Sequence, residues 1–449
     1  MYSEEVKAML TKAGAGIGDY VKYSRGALTL EGIVLPRQES GDKNCLVLKL
    51  NSGYNAGVGM EKAKIEKIKS SKLKFKLPYH PKSSKTGPSS APHLSLISTG
   101  GTIASRVDYE TGAVHPQIKA SELVGAYPRL KKFEPIKVNS LFSILSEDMN
   151  PSRWSEMAKE VKNEFDGGAT GIVIAHGTDT MGYSSAALSY ALQNLPSPLI
   201  FTGAQRSPDR ASSDAAQNIF CSCAAARSNF AEVAICMHVS TNDTFNYIHW
   251  GTRARKSHTS GRWAFKSIGA HPIGKVDGES GNVQINDTRI PKKDLKRKII
   301  LKNKFSENVH LAWIYPGITP KTVSLWSKYD GIVIAGTGLG HAPLDIHNSK
   351  SKTSILPALK ELISSDVIIA ISPQTLGGRI MLETYSTGRK LEDIGVIGNR
   401  ADWLPETCYA KLCWVLGQTK NKKKAEELMM APVANDISPF SSVEESTYE

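Results

Sequence analysis

Two glycine- and hydroxyl-rich runs in this chain carry residue types suited to nucleophilic chemistry. The first reads Leu96-Ile-Ser-Thr-Gly-Gly-Thr-Ile-Ala-Ser105 and the second Ala175-His-Gly-Thr-Asp-Thr-Met181. In the first, paired glycines let the backbone turn sharply and approach a ligand, and Thr102 follows directly. In the second, Thr178 and Asp179 fall where a helix begins, so backbone N–H groups and the positive end of the helix dipole face one space. A threonine hydroxyl is nearly un-ionised at neutral pH and attacks a carbonyl only with a base beside it. Each run also has a plain structural reading. Gly-Gly-Thr after a strand makes a tight turn, Thr-Asp at a helix start makes an N-cap, and His176 at a strand end reads as a packed residue rather than a base.

The elements around these runs must place them together. Leu94–Ser98, Gly171–His176, Pro198–Ala204 and Ala231–His238 are apolar enough for buried strands, and longer helical patterns separate them. That alternation predicts βαβ units and a parallel sheet, whose ligand sites form at the carboxyl ends of the strands. A second alternating section runs through His310–Gly317, Asp330–Gly336 and Asp366–Pro373 to a helix over Glu406–Leu416. Ahead of both lie short strands at Gly18–Tyr23, Leu30–Pro36 and Asn44–Leu50, punctuated by turn residues, which predict a small β-barrel-like domain. The expected division is a β domain over 1–75, a Pro/Ser/Gly linker over 76–92 and a large α/β domain over 93–288. A basic linker over 289–308, a smaller α/β domain over 309–432 and a flexible polar tail over 433–449 complete it.

Composition narrows the class. The 449 residues are 40% hydrophobic and 22% charged, which fits a globular chain of two to four domains. No apolar run reaches about 18 residues, so no membrane span is expected. The amino terminus has no secretory apolar core, and six cysteines without zinc or redox spacing read as reduced thiols of a cytoplasmic protein. The excess of 56 Lys+Arg over 43 Asp+Glu, +13, suits a polyanionic partner or an acidic protein surface. It equally suits a solvated basic surface.

Taken together, TGGTI and HGTDTM resemble the two signatures of the asparaginase/glutaminase family with threonine nucleophiles. The resemblance covers roughly residues 93–432 and implies an asparaginase-like core of two α/β subdomains. It also implies further residues. Tyr109 in VDYETG matches the mobile-loop tyrosine, Ser146-Glu147-Asp148-Met149-Asn150 the substrate-binding motif, and Ala204 in GAQR a residue lining the amide site. Lys256, ten residues before Lys266 in AFKS, matches the catalytic lysine. On this reading Thr102 is the nucleophile, and Thr178, Asp179 and Lys256 form a proton relay. The resemblance leaves open the order in which the two threonines act. Lysine serves as a base when burial and neighbours favour its neutral form. Tyr109 polarises the nucleophile and closes the lid, Ser146 holds the substrate α-carboxylate, and Asp179 and Glu147 hold its α-ammonium. Gly101 and Gly177 contribute backbone to the substrate site. No metal and no cofactor is expected in this chain. Gly336-Thr-Gly-Leu-Gly340 reads as a tight turn, with leucine where simple asparaginases place an asparagine from a neighbouring copy.

The amino-terminal extension and Glu147 depart from simple asparaginases. Together with GDYVKY, EGIVLP, LNSGYNAGV, ETYSTGRKLEDIGVI and LPETCYAKLCWVLG they resemble the D-subunit family of archaeal glutamyl-tRNA(Gln) amidotransferases. In that family, the D component releases ammonia from glutamine or asparagine, and the E component activates Glu-tRNA(Gln) with ATP and Mg. The resemblance implies a homodimer within a two-plus-two heterotetramer. This chain contains no G-x-x-x-x-G-K-[ST] loop, which fits that division of labour. Two rivals stand beside it: a free-standing L-asparaginase with an extra β domain, and a catalytically dead fold kept as a basic RNA-binding module.

Overall fold

A computed structural model describes residues 2–35, 42–50, 55–69, 91–101, 105–107, 114–116, 127–207, 213–346, 348 and 351–441. The amino-terminal unit is helix α1 (Glu4–Lys12) and an antiparallel sheet of β1 (Tyr20–Arg25), β2 (Leu28–Val34), β3 (Cys45–Leu50), β4 (Asn55–Gly59) and β5 (Lys64–Lys69). Alternation decides its inside: Val21, Tyr23, Leu46 and Leu48 turn inward and meet Val6 and Leu10 of α1. The strand order is β4-β3-β2-β1-β5 with every neighbouring pair antiparallel, the small domain of short strands that the turn punctuation predicts.

The large unit is built on eight strands: β6 (His93–Gly100), β7 (Ile136–Ile144), β8 (Ala169–Ala175), β9 (Leu199–Thr202), β10 (Val233–His238), β11 (Phe245–Trp250), β14 (Gly274–Asp277) and β15 (Val283–Ile285). A separate hairpin, β12 (Ala254–Lys256) and β13 (Phe265–Ser267), interrupts the series. The order is β15-β14-β11-β10-β9-β8-β6-β7. Strands β7, β6, β8, β9 and β10 are parallel; the apolar runs of β6, β8, β9 and β10 predict this, whereas β7, reading IKVNSLFSI, carries no such run. Both faces of β8 are buried: Ile172 and Ile174 enter one core, Val173 and Ala175 the other. Beyond β10 the sheet turns antiparallel. Phe245 and Tyr247 of β11 face solvent while Asn246 and Ile248 are buried, and the sheet is mixed rather than parallel throughout. Helices α2 (Pro151–Asp166), α3 (Met181–Ala191) and α4 (Ala215–Arg227) cover it.

The smaller unit has three parallel strands, β16 (Val309–Trp313), β17 (Gly331–Gly336) and β18 (Ile368–Pro373), with α5 (Leu356–Ser364) and α6 (Pro405–Gln418). One core spans both α/β units, since Val333, Trp403, Leu412 and Trp414 pack with Ile172, Leu188 and Tyr190. Tyr190 stacks on Trp414 with ring centroids 5.7 Å apart. The basic linker runs over the surface as a strap, with Ile300–Leu301 pairing to Leu192–Gln193.

The expected flexible tail is corrected for residues 433–441. Asp436 and Lys411 are both fully buried and 2.5 Å apart, and the Lys411 ammonium also donates to the Ala431 carbonyl. Asp436 and Ser438 of this segment are spent on the buried charges of Lys411, Arg253 and Asp402. No helix among the described residues is long and apolar enough to cross a membrane.

Candidate active site

Three parallel strands bring the site together at their carboxyl ends. Strand β6 delivers Gly101, whose N–H donates to the Ile144 carbonyl at the end of β7 (2.9 Å). Gly101 has φ +74°, and a Cβ there would lie 2.5 Å from the Gly177 Cα. A Cβ on Gly177 would in turn lie 2.4 Å from the Ser146 Cβ. Glycine at both positions lets the loops after β6 and β8 and the turn after β7 touch backbone to backbone. The Gly101 N–H is committed to the Ile144 carbonyl.

Strand β8 ends at Ala175, and helix α3 begins only at Met181, with Thr180 at its N-cap. Thr178 and Asp179 therefore sit in the loop before the helix, and their side chains are not spent on capping it. The Thr180 hydroxyl donates to the Ser146 carbonyl at 2.8 Å, fastening this loop to the Ser146–Asp148 turn. Lys256 arrives on β12, and its ammonium donates to Thr178 Oγ1 at 2.9 Å and to Asp179 Oδ1 at 2.7 Å. The Ser146 hydroxyl donates to Asp179 Oδ2 at 3.0 Å. Of the sequence-predicted site residues, Thr178, Asp179, Lys256 and Ser146 thus form one connected cluster.

Burial differs sharply within that cluster. Thr178 and Ser146 are buried, while the Asp179 side chain is 64% exposed, so its carboxylate can meet a ligand from solvent. Partial burial pushes the Asp179 carboxyl up, but hydrogen bonds from Lys256 and Ser146 outweigh it and hold the carboxyl below its usual value. Removing the Ser146 hydroxyl takes away one of those hydrogen bonds. Ser146→Ala should therefore raise the Asp179 carboxyl toward the ordinary aspartate value of about 3.9. Activity that needs the ionised carboxylate is then lost at a higher pH on the acid side. Ammonia release against pH, with circular dichroism to confirm folding, reads this shift; an unmoved acid limb separates Ser146 from Asp179 in function.

Other expected residues fall elsewhere. Glu147 is exposed on the Ser146–Asp148 turn. Ala204 is fully buried in the core beside β9. Thr102 and Tyr109 lie outside the described residues. His176 is packed, as its strand-end position suggests: it is fully buried, its Nδ1 is 2.7 Å from the Gly177 carbonyl, and burial pushes its pKa down to about 4. It stays neutral at physiological pH and serves structure. The Gly336–Gly340 segment is a tight turn in which Thr337 and His341 pair.

Sequence reasoning missed Asp214. This buried carboxylate accepts the Gln205 N–H at 3.0 Å and the Arg206 N–H at 3.1 Å, and so fixes the GAQR loop. Its signal was its place just ahead of helix α4, where an aspartate is an ordinary cap and draws no attention.

Comparison with known proteins assigns each unit. Residues 93–291 match the family model "Asparaginase, N-terminal" and residues 308–429 the "Glutaminase/Asparaginase C-terminal domain". Residues 15–68 match the "GatD N-terminal domain". The chain is 41% identical to the D component of glutamyl-tRNA(Gln) amidotransferase from Pyrococcus furiosus, across 97% of this chain and 98% of that one. It is 42% identical to the D component from Methanosphaera stadtmanae, across 97% of each. The chain belongs to the D-subunit family of glutamyl-tRNA(Gln) amidotransferases. Among solved structures, the thermostable L-asparaginase from Thermococcus kodakarensis superposes with TM-score 0.68 at 27% identity, covering 78% of this chain and all of that one. L-asparaginase I from Vibrio cholerae superposes with TM-score 0.63 at 25% identity, covering 77% of this chain and 99% of that one. This D-subunit family member thus shares the asparaginase core, and the strands before residue 70 are what it adds.

Proposed function

We propose that this chain frees ammonia from the side-chain amide of glutamine or asparagine, with Thr102 as nucleophile and Thr178, Asp179 and Lys256 handling protons. It is the amidohydrolase component of a multi-subunit amidotransferase with a tRNA substrate. The observation that carries the assignment of residues is the Lys256 ammonium, within hydrogen-bond reach of both Thr178 and Asp179.

A side-chain amide is a poor electrophile, so its cleavage needs a nucleophile, a base and stabilisation of the developing charge. Thr102 follows Gly101, which packs on Gly177, and Thr178 follows Gly177. Chain connectivity therefore starts both threonines from one contact. In the proposed step the Thr102 oxygen bonds to the amide carbonyl carbon and gives its proton to the Thr178 hydroxyl, whose own proton passes to the neutral amine of Lys256. The carbon–nitrogen bond then breaks, and nitrogen leaves as ammonia with the proton that Lys256 returns. Water opens the acyl ester, restoring the hydroxyl and releasing the acid. Asp179 balances the ammonium form of Lys256 and, through its exposed face, receives the substrate α-ammonium alongside Glu147. Ser146 holds the α-carboxylate, and Tyr109 covers the site.

The ammonia is used on a partner, the E component of the amidotransferase, which binds Glu-tRNA(Gln) and spends ATP with Mg to activate it. This chain forms a homodimer in a two-plus-two assembly, works in the cytoplasm and takes no cofactor of its own. Free ammonium should then replace this chain. The E component, Glu-tRNA(Gln), ATP and ammonium chloride should yield Gln-tRNA(Gln) without it. Absence of product would break the proposed division of labour.

A further inference from the structure

Lys256 sits on a three-residue strand, and such a short element cannot fix a side chain by its own ladder. What surrounds it comes from far away in sequence. Arg253 is almost completely buried. Its guanidinium meets the Asp402 carboxylate through both terminal nitrogens at 3.1 Å, and donates to the Asp402 carbonyl at 3.0 Å. It also donates to the Asn435 carbonyl and to the Ser438 hydroxyl, each at 2.9 Å. The Ser438 N–H returns to Asp402 Oδ1 at 2.8 Å. One residue earlier, the Thr252 hydroxyl donates to the Ala434 carbonyl at 2.9 Å, and the Thr407 hydroxyl to the Thr252 carbonyl at 2.7 Å. On the other side, Arg255 pairs with Glu406 at 3.1 Å.

Every one of these partners lies in the smaller α/β unit or in the segment after it. The buried Lys411–Asp436 pair pins that segment to helix α6. A planar guanidinium with donors in a fixed fork locks orientation as well as charge.

We propose that Ala431–Ser438 is a strap that, with Asp402 and Arg253, positions Lys256 for proton transfer at Thr178. The strap and Arg253 are positioning residues, and Lys256 remains the group that touches the reacting atoms. The inference rests on the reading of Lys256 given above. It assigns the polar tail a role in the chemistry of a site formed far earlier in the chain. A misplacement of about 1 Å in such a group costs on the order of 100-fold in rate. A loosened strap should cost less.

The test uses the full chain in three versions. Thr252→Val with Ser438→Ala removes the strap's bonds to Thr252, Arg253 and the Gly269 carbonyl made through these two hydroxyls and leaves the charges intact. Arg253→Lys keeps the charge and loses the fork, and Lys256→Ala controls for the reading itself. Ammonia release from glutamine is measured in H2O and D2O, with circular dichroism as the check on folding. The double variant should lower kcat about tenfold with KM within about twofold of the parent and raise the solvent isotope effect, because proton transfer becomes slower. Arg253→Lys should do the same; if it does not fold, the double variant decides. A lower kcat with an unchanged isotope effect would mean only a smaller folded fraction, and would overturn the proposal. So would an unchanged kcat in the double variant while Lys256→Ala is inactive. Activity retained by Lys256→Ala would overturn the site assignment instead, and the strap's role with it.

Discussion

Lys256→Ala should lower ammonia release from glutamine or asparagine by at least about 100-fold, the lower end of what a positioned general base contributes. The variant removes the only nitrogen seen to bridge Thr178 and Asp179 among the described residues. Asp179 keeps its bond from Ser146 but faces no cation, and Thr178 keeps its hydroxyl but has no amine to take its proton. Folding should survive, because Lys256 enters none of the hydrophobic cores and its strand retains its ladder to Phe265–Ser267. The check is a continuous ammonia assay on protein whose circular dichroism matches the parent. A variant that folds and keeps more than about a tenth of its rate would remove Lys256 from the chemistry.

A second large effect comes from a residue with no side chain. Gly177→Ala places a methyl 2.4 Å from the Ser146 Cβ and 3.1 Å from its Oγ. Neither neighbour can retreat cheaply, since Ser146 is held by Asp179 and its carbonyl by Thr180. Overpacking of this kind costs about 1–3 kcal/mol. Moving Ser146 and the following loop also shifts Thr178 against Lys256, so activity should fall by on the order of 100-fold. Both losses should appear together: a lower urea midpoint and a lower rate. Ser146→Ala, by contrast, should leave the midpoint nearly unchanged. If Gly177→Ala is as stable and active as the parent, the loops do not pack as described.

Much of this site was legible because its chemistry stands in short runs at strand ends. Gly-Gly-Thr and His-Gly-Thr-Asp stand at the ends of apolar strands, and the parallel sheet that apolar runs predict puts both ends on one edge. The antiparallel half was less legible. Phe245–Trp250 buries Asn246 and Ile248 but exposes Phe245 and Tyr247, a pattern that composition alone does not separate from a loop. Lys256 came from resemblance, since a lysine in a basic stretch carries no local mark of catalysis. Arg253 and Asp402 are 149 positions apart, and nothing in either neighbourhood announces the pair. The tail misled for a physical reason: polar residues that satisfy buried charges look, in composition, like polar residues that seek water.

The most direct test follows the nitrogen atom. Glutamine labelled with 15N at the side-chain amide is supplied to the assembled enzyme with Glu-tRNA(Gln) and ATP, and the glutamine esterified to tRNA is analysed by mass. The parent should place 15N in Gln-tRNA(Gln). The assembly carrying Lys256→Ala should place none there, yet should form the same product when ammonium chloride is added. Labelled Gln-tRNA(Gln) from the Lys256→Ala assembly at the parent rate would contradict the assignment of this site as the source of ammonia.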